Sequence, residues 1–234
     1  MYSINFQMNL PMTRLILIRH AQASFGSSNY DQLSSLGHQQ SSWLGQHLEK
    51  RGLIPNSIIC GTLTRHRETV NGILEQLNST MTVEQNRDWN EFEFKKIIEA
   101  FLLQHPEMMP SDKSPKSFFS LLKKSMLAWS HNELGHYQGE TWLEFESRII
   151  HALSKLQTEN KEGTVWLVSS GGAIAMLLKQ VLEVSNQKMI DLNFQIHNSS
   201  MTDIYLRKDK VLLSSFNQVP HLDHQERLNA ITYA

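Results

Sequence analysis

Four unbroken aliphatic residues, "LILI" at positions 15–18, stand between Arg14 and the pair Arg19-His20. A short run with no polar alternation predicts a strand covered on both faces, as in a sheet sandwiched between helices. The next pattern, "SSLGHQQSSWLGQHLEKRG", puts Leu36, Gln40, Trp43, Leu44 and Leu48 near helical spacing, with Ser34 or Ser35 as N-cap and Gly52 as terminator. "NSIICG" predicts a second strand, and "TLTRHRETVNGILEQLN" a helix opening on Thr62 or Thr64 with Val70, Ile73, Leu74 and Leu77 along one side. "TVEQNRDWNEFEF" begins as a third brief strand and ends in an acidic turn. From about Lys95 to His136 two helical patterns flank "QHPEMMPSDKSPKS", whose prolines and small polar residues predict a loop. Ser114 and Pro115 cap and open the second helix, whose apolar stripe is Phe118, Leu121, Leu122, Met126 and Trp129. "GETWLEFESRIIHALSKLQ" predicts another amphipathic helix, and "GTVWLVSSGGAIAMLLKQVLEV" a strand, a Gly-rich turn and a helix. "SSMTDIYLRKDKVLLSSFN" closes the pattern as two antiparallel strands joined by "RKDK".

Strands alternating with helices, plus one antiparallel pair, predict an α/β fold: a three-layer αβα sandwich with a mostly parallel mixed sheet and a helical cap insertion over about 95–136. Residues 1–12 read as a loose leader, 13–222 as one domain and 223–234 as a C-terminal tail. Sites in such folds lie beyond the carboxyl ends of the strands. That rule gathers three turns into one crevice: Arg19 to Gly26, Gly61 to Arg65, and Ser169 to Gly172.

Composition narrows the function. With 19% charged residues and a net charge of −1 the chain has no basic field for nucleic acid, so a small-molecule or protein substrate fits better. Cys60 is the single cysteine, which rules out an intrachain disulfide or a cysteine-rich metal site and points to a reducing compartment. No run of about 18 apolar residues and no basic segment ahead of an apolar one occurs, so neither a membrane span nor an export signal is expected and the chain reads as cytoplasmic. Because the chain carries 11 histidines, only those at strand ends or turns count as evidence for chemistry.

The three turns carry the chemistry. Arg19 and Arg65 offer planar forks that match phosphoryl oxygens, and the Ser169–Gly172 turn opens a helix whose N–H groups favour an anion. His20, at a strand end beside one of the arginines, presents one imidazole nitrogen as a nucleophile if the other donates to a backbone carbonyl. A leaving alkoxide needs a proton, for which Glu91 and Glu93 of "DWNEFEF" supply carboxyls.

In this order and spacing the motifs resemble the histidine phosphatase superfamily, the phosphoglycerate mutase-like fold, over Thr13 to about Leu222. "LILIRHAQA" resembles the family's strand ending in Arg-His-Gly, and "LSSLGHQQSSWLG" its Gly- and Gln-bearing helix. "CGTLTRHRET" resembles the segment with its second arginine, "NEFEF" its acidic turn, "GETWLEFESRI" the helix after its cap and "FNQVPHL" its closing segment. The resemblance implies that His20 takes the phosphoryl group as a phosphohistidine and that Arg19 and Arg65 hold the equatorial oxygens. It further implies that Glu91, with Glu93 as the alternative, protonates the leaving oxygen and then activates water. No metal or other cofactor is implied, because the arginines neutralise the charge that Mg²⁺ handles in other phosphoryl-transfer sites.

Three departures qualify the expectation. Ala21 replaces the glycine after the nucleophile, which fits unless that turn needs a positive φ. Gly26, with Ser24 nearby as a substrate-binding candidate, stands where mutase members carry an asparagine. The family's Ser-His-Gly-Gly reads Ser169-Ser170-Gly171-Gly172, so the second catalytic histidine is a serine and the phosphate contacts left in this turn are Ser170 and Gly171. A hydroxyl keeps a donor there but loses a charge, a loss of roughly a hundredfold to a thousandfold in rate. His197, His66 or the helix N-terminus could compensate, although a structural role is the simpler reading of His197. The favoured expectation is a metal-independent phosphomonoester phosphatase, slowed by Ser170, acting on a phosphorylated small molecule or phosphoprotein. The alternative is a low-turnover protein that binds a phosphorylated ligand; a mutase is disfavoured because both missing residues serve phosphate retention. Lys113, Lys116, Lys123 and Lys124 of the insertion are candidates for an anionic tail or simply the helix's wet face.

Overall fold

The computed structural model describes residues 12–24, 30–112, 114–159, 162–208 and 210–233. Gly26, Lys113 and all of the leader except Met12 lie outside the described residues. Among the described residues six strands form one mixed sheet: β1 (Thr13–Arg19), β2 (Ser57–Cys60), β3 (Val83–Gln85), β4 (Gly163–Ser169), β5 (Met201–Leu206) and β6 (Val211–Gln218), in the order β3-β2-β4-β1-β5-β6. β3, β2, β4 and β1 run parallel, and β5 and β6 add the antiparallel edge.

The aliphatic run of β1 explains the layers. Leu15 and Leu17 enter one core while Ile16 and Ile18 enter the other, and none of the four is more than 1% exposed. Successive side chains of a strand point to opposite faces, so an unbroken apolar run is what a doubly covered strand requires. β4 divides its residues in the same way: Val165 and Leu167 on one side, Trp166 and Val168 on the other. Helices α1 (Ser35–Lys50) and α2 (Thr64–Gln76) cover the face of Ile16 and Ile18 through Leu44, Leu48, Val70, Ile73 and Leu74. The opposite face is covered by α5 (Trp142–Glu159) and α6 (Gly171–Leu182), with α3 (Phe94–Gln104), α4 (Pro115–Ser130) and α7 (Asn186–Asn193) adding to the same core.

Caps confirm most boundaries. Ser34 accepts from the Gly37 N–H at 3.0 Å, Ser114 accepts from the Ser117 N–H at 3.2 Å with Pro115 next to it, and Gly52 adopts φ +61° just past α1. Helix α2 differs from expectation: its N-cap is Leu63, without a side-chain cap. Asp31 takes over from a distance, its Oδ2 accepting from the Thr64 N–H at 2.8 Å. Helix α7 has no counterpart in the sequence reading; eight residues are too short to register a period, and its only local signal is Ser185, which accepts from the Lys188 N–H.

Register brings the strand ends together. Arg19 lies beside Ser169 and Cys60 beside Val168, so the turns after β1, β2 and β4 emerge at one level. The His20 N–H donates to the Ser169 carbonyl at 2.8 Å and the Gly61 N–H to the Val168 carbonyl at 3.1 Å, which extends the ladder into the turns themselves.

Candidate active site

A cavity of about 760 Å³ opens at these strand ends, and Arg19, His20, Arg65 and Glu91 line it. His20 is 5% exposed, and its Nδ1–H donates to the Ala21 carbonyl at 2.7 Å. That fixes the tautomer and leaves Nε2 with a lone pair, onto which the Arg65 Nε–H donates at 3.2 Å. Burial, then the adjacent Arg65 and Arg19 charges, hold the imidazole's pKa well below its ordinary value, so His20 is neutral near pH 7. Ala21 has no positive φ, and methyl for hydrogen is therefore tolerated in this turn.

Arg19 is anchored by its backbone neighbours: Nη1 donates to the Ile196 and Tyr233 carbonyls. Burial lowers this guanidinium to about 10, still fully charged at neutral pH. Tyr233 also lines the cavity, and Ala230 and Thr232 accept from the buried Gln40 amide, which ties the segment near the C-terminus to the domain beside the site. Arg65 is held on its other side by Asp31, at 2.7 Å from Nη1. Asp31 and Tyr30, whose ring centroid lies 5.6 Å from the Arg65 guanidinium carbon, were not among the sequence candidates. An aromatic and an acid ten and eleven residues after the nucleophile carry no spacing signal; only the fold returns them to it.

The acidic turn divides its two carboxyls. Glu91 faces the cavity, its Oε2 accepting from the Gly172 N–H at 2.9 Å and its Oε1 from the Phe92 N–H at 3.2 Å. Burial raises its pKa above the ordinary value, opposed by the Gly172 N–H and the two arginines. Glu93 points to solvent and pairs with Lys96 at 2.6 Å. The α6 N-terminus therefore addresses the Glu91 carboxylate through Gly172, and Gly171 approaches the Arg19 guanidinium.

Ser170 is fully buried and shares a 2.7 Å hydrogen bond with His66 Nε2. The His66 ring, itself fully buried, lies 5.6 Å from the His20 ring, and burial lowers its pKa well below normal. Gly61 makes room for it, because a Cβ there would fall 2.2 Å from His66 Nδ1. An imidazole thus stands next to the position where the family's second histidine is expected, supplied by α2 instead of by the β4–α6 turn.

Other candidates fall outside. Ser24, Ser170 and Gly171 do not line the cavity; the Ser24 hydroxyl donates to the Leu33 carbonyl at 3.0 Å, which holds the turn after β1. His197 packs on the Tyr233 ring at 4.6 Å without lining the cavity, as a structural role requires. Of the insertion lysines among the described residues, Lys123 lines the cavity but is paired with Asp191 at 2.6 Å, and Lys124 contacts the Met108 sulfur.

The sequence profile of the histidine phosphatase superfamily (branch 1) matches residues 15–219. The chain belongs to the histidine phosphatase superfamily. Superfamily-like structures agree in fold: a phosphoglycerate mutase from Bacillus anthracis, at 18% identity and a TM-score of 0.64, is matched over 91% of this chain and 96% of its own. A putative alpha-ribazole-5'-P phosphatase from Escherichia coli (18% identity, TM-score 0.65) is matched over 88% and 96%. A phosphoserine phosphatase from Entamoeba histolytica, solved with phosphoserine (21% identity, TM-score 0.63), is matched over 90% and 99%. No curated protein matches the chain. Among the described residues no helix is long and apolar enough to cross a membrane.

Proposed function

We propose that this superfamily member is a phosphatase that hydrolyses a phosphomonoester through a phosphohistidine on His20. The observation that carries the reading is the state of the His20 ring: Nδ1–H committed to the Ala21 carbonyl, and an unprotonated Nε2 that accepts from the Arg65 Nε–H in a crevice shared with Arg19 and Arg65. Nε2 attacks phosphorus as the ester P–O bond breaks, and the two guanidinium groups spread the charge of the equatorial oxygens. Glu91, whose pKa burial raises, gives its proton to the leaving alkoxide. It then takes a proton from water, whose oxygen displaces the imidazole and releases phosphate. Ser170, hydrogen-bonded to His66, stands where the superfamily carries a charged donor and brings no charge of its own.

The test is phosphoryl labelling. Wild-type protein given phosphoramidate or an activated phosphoester is expected to carry acid-labile, base-stable phosphate at position 20, absent in His20→Ala. A chain that no activated donor labels overturns the reading.

A second reading, a phosphate-ligand-binding protein with little turnover, draws on Asp31, whose carboxylate pairs with Arg65 Nη1 at 2.7 Å and so offsets the charge available to a phosphoryl group. It expects phosphate compounds to raise Tm without product release, and turnover that is lost in Arg65→Ala excludes it.

A further inference from the structure

Beyond the catalytic floor the cavity wall is mostly carbon. The rings of Tyr30, Phe94, Phe118, Phe119 and Phe194 follow one another around it. Their contacts are edge-on: Tyr30–Phe94 at 5.6 Å between centroids, Phe94–Phe118 at 6.2 Å, Phe118–Phe119 at 5.5 Å and Phe119–Phe194 at 6.0 Å. All five residues are partly exposed. Phe119, in the first turns of α4, joins neither hydrophobic core. A large ring kept out of the core and turned toward a concave space is the signature of a ligand wall, because leaving it wet has no compensation within the fold.

The charges along this wall cancel. Apart from Arg19 and Arg65, the only cation lining the cavity among the described residues is Lys123, and Asp191 takes it at 2.6 Å. Asp191 lies within 3.8 Å of Lys188 as well, and the Lys123 hydrogen bond holds its carboxyl below the ordinary value, so Asp191 stays ionised beside Lys123. Lys95 stands outside the lining, 5.9 Å from the Tyr30 centroid. Among the described residues, a leaving group bearing its own carboxylate or second phosphate would find no unpaired cation along this wall, only the neutral Ser120, Asn193 and Gln195 beside the rings, so its desolvation would go uncompensated by charge.

On the phosphatase reading above, we propose that the cavity selects phosphomonoesters of a bulky apolar alcohol, aryl or alkyl, that carries no second anionic group. The phosphoryl group meets His20 and the arginines while the organic part lies along the ring of aromatics.

Binding of inert phosphonates separates this inference from the catalytic one. In calorimetric titrations of the full chain, 1-naphthylmethylphosphonate and hexylphosphonate are expected to bind about tenfold or more tightly than 3-phosphonopropionate. The order of the first two tells an aryl site from an alkyl one. Phe119→Ala is expected to shrink that preference to about threefold or less, and Asp191→Asn, which frees Lys123, to strengthen 3-phosphonopropionate binding about tenfold. The carboxylated compound binding as well as the apolar ones, or a preference that both variants leave unchanged, overturns the proposal. Failure of His20 labelling with the apolar preference intact rejects the phosphatase reading alone; labelling without that preference rejects only the apolar pocket.

Discussion

At His20 and Glu91 the protonation states set the working pH. His20 must be neutral to attack, and burial beside two arginines moves its pKa well below 6.5, so the acid limb of the rate profile lies far on the acid side. Glu91 must be protonated to serve a poor leaving group, and burial moves its pKa up from 4.5, so activity declines as pH rises through that raised value. The expected kcat/KM profile for an alkyl phosphate has an acidic optimum. In Glu91→Gln the alkaline limb disappears and kcat falls by roughly 10²–10⁴, less for a nitrophenyl ester whose leaving group needs no proton. An alkaline optimum in the wild type would remove Glu91 from the acid's role. Ser170 carries a second prediction. Its hydroxyl is 2.7 Å from an imidazole that cannot retreat past Gly61, so Ser170→His overpacks a filled space at a cost of about 1–3 kcal/mol. Restoring the family's histidine alone is therefore expected to lower both Tm and kcat, whereas pairing it with His66→Ala recovers Tm relative to the single variant. A single variant that is faster at unchanged Tm would contradict this packing.

At the scale of elements, the β4–α6 junction joins fold to chemistry. The Gly172 N–H holds Glu91, and a Cβ on Gly172 would lie 2.2 Å from Glu91 Oε1 and 2.4 Å from Phe92 Cε1. Neither can yield cheaply, as Phe92 is buried against Trp129 and Phe145. Gly172→Ala is expected to displace the carboxyl and reduce kcat by about a hundredfold with a smaller change in KM, separable by steady-state kinetics. The GG turn was legible in the sequence as a helix start. That its second glycine exists for a carboxylate 81 positions earlier was not. The same limit explains α2, whose cap comes from Asp31 across 33 positions instead of from a neighbouring threonine.

For the molecule as a whole, three buried neutral histidines make stability depend on pH. His20 and His66 lie well below 6.5 and His221 falls to about 3, in each case mainly through burial. Below pH 6.5 the unfolded chain binds protons that the folded chain refuses, so stability is present in full above 6.5 and is lost as pH falls from there toward the folded values. Glu91, shifted upward, works in the opposite sense, but it is one group against three. Tm is expected to drop by about 5 °C or more between pH 7 and pH 5, measured by calorimetry, and by less in His66→Asn. Aliphatic runs, helical periods and small cap residues act over a few positions, and this local order sufficed for the sandwich, for the order of its strands and of every helix but α7, and for placing Arg19, His20 and Arg65 at strand ends and turns. Only the tertiary structure decided which of two carboxyls enters the crevice, that Ser24 stays out, that Asp31, Tyr233 and His66 stand beside it, and that aromatics from the insertion wall it. Those outcomes depend on contacts between residues far apart in the chain, whose pairing is fixed by packing and not by spacing.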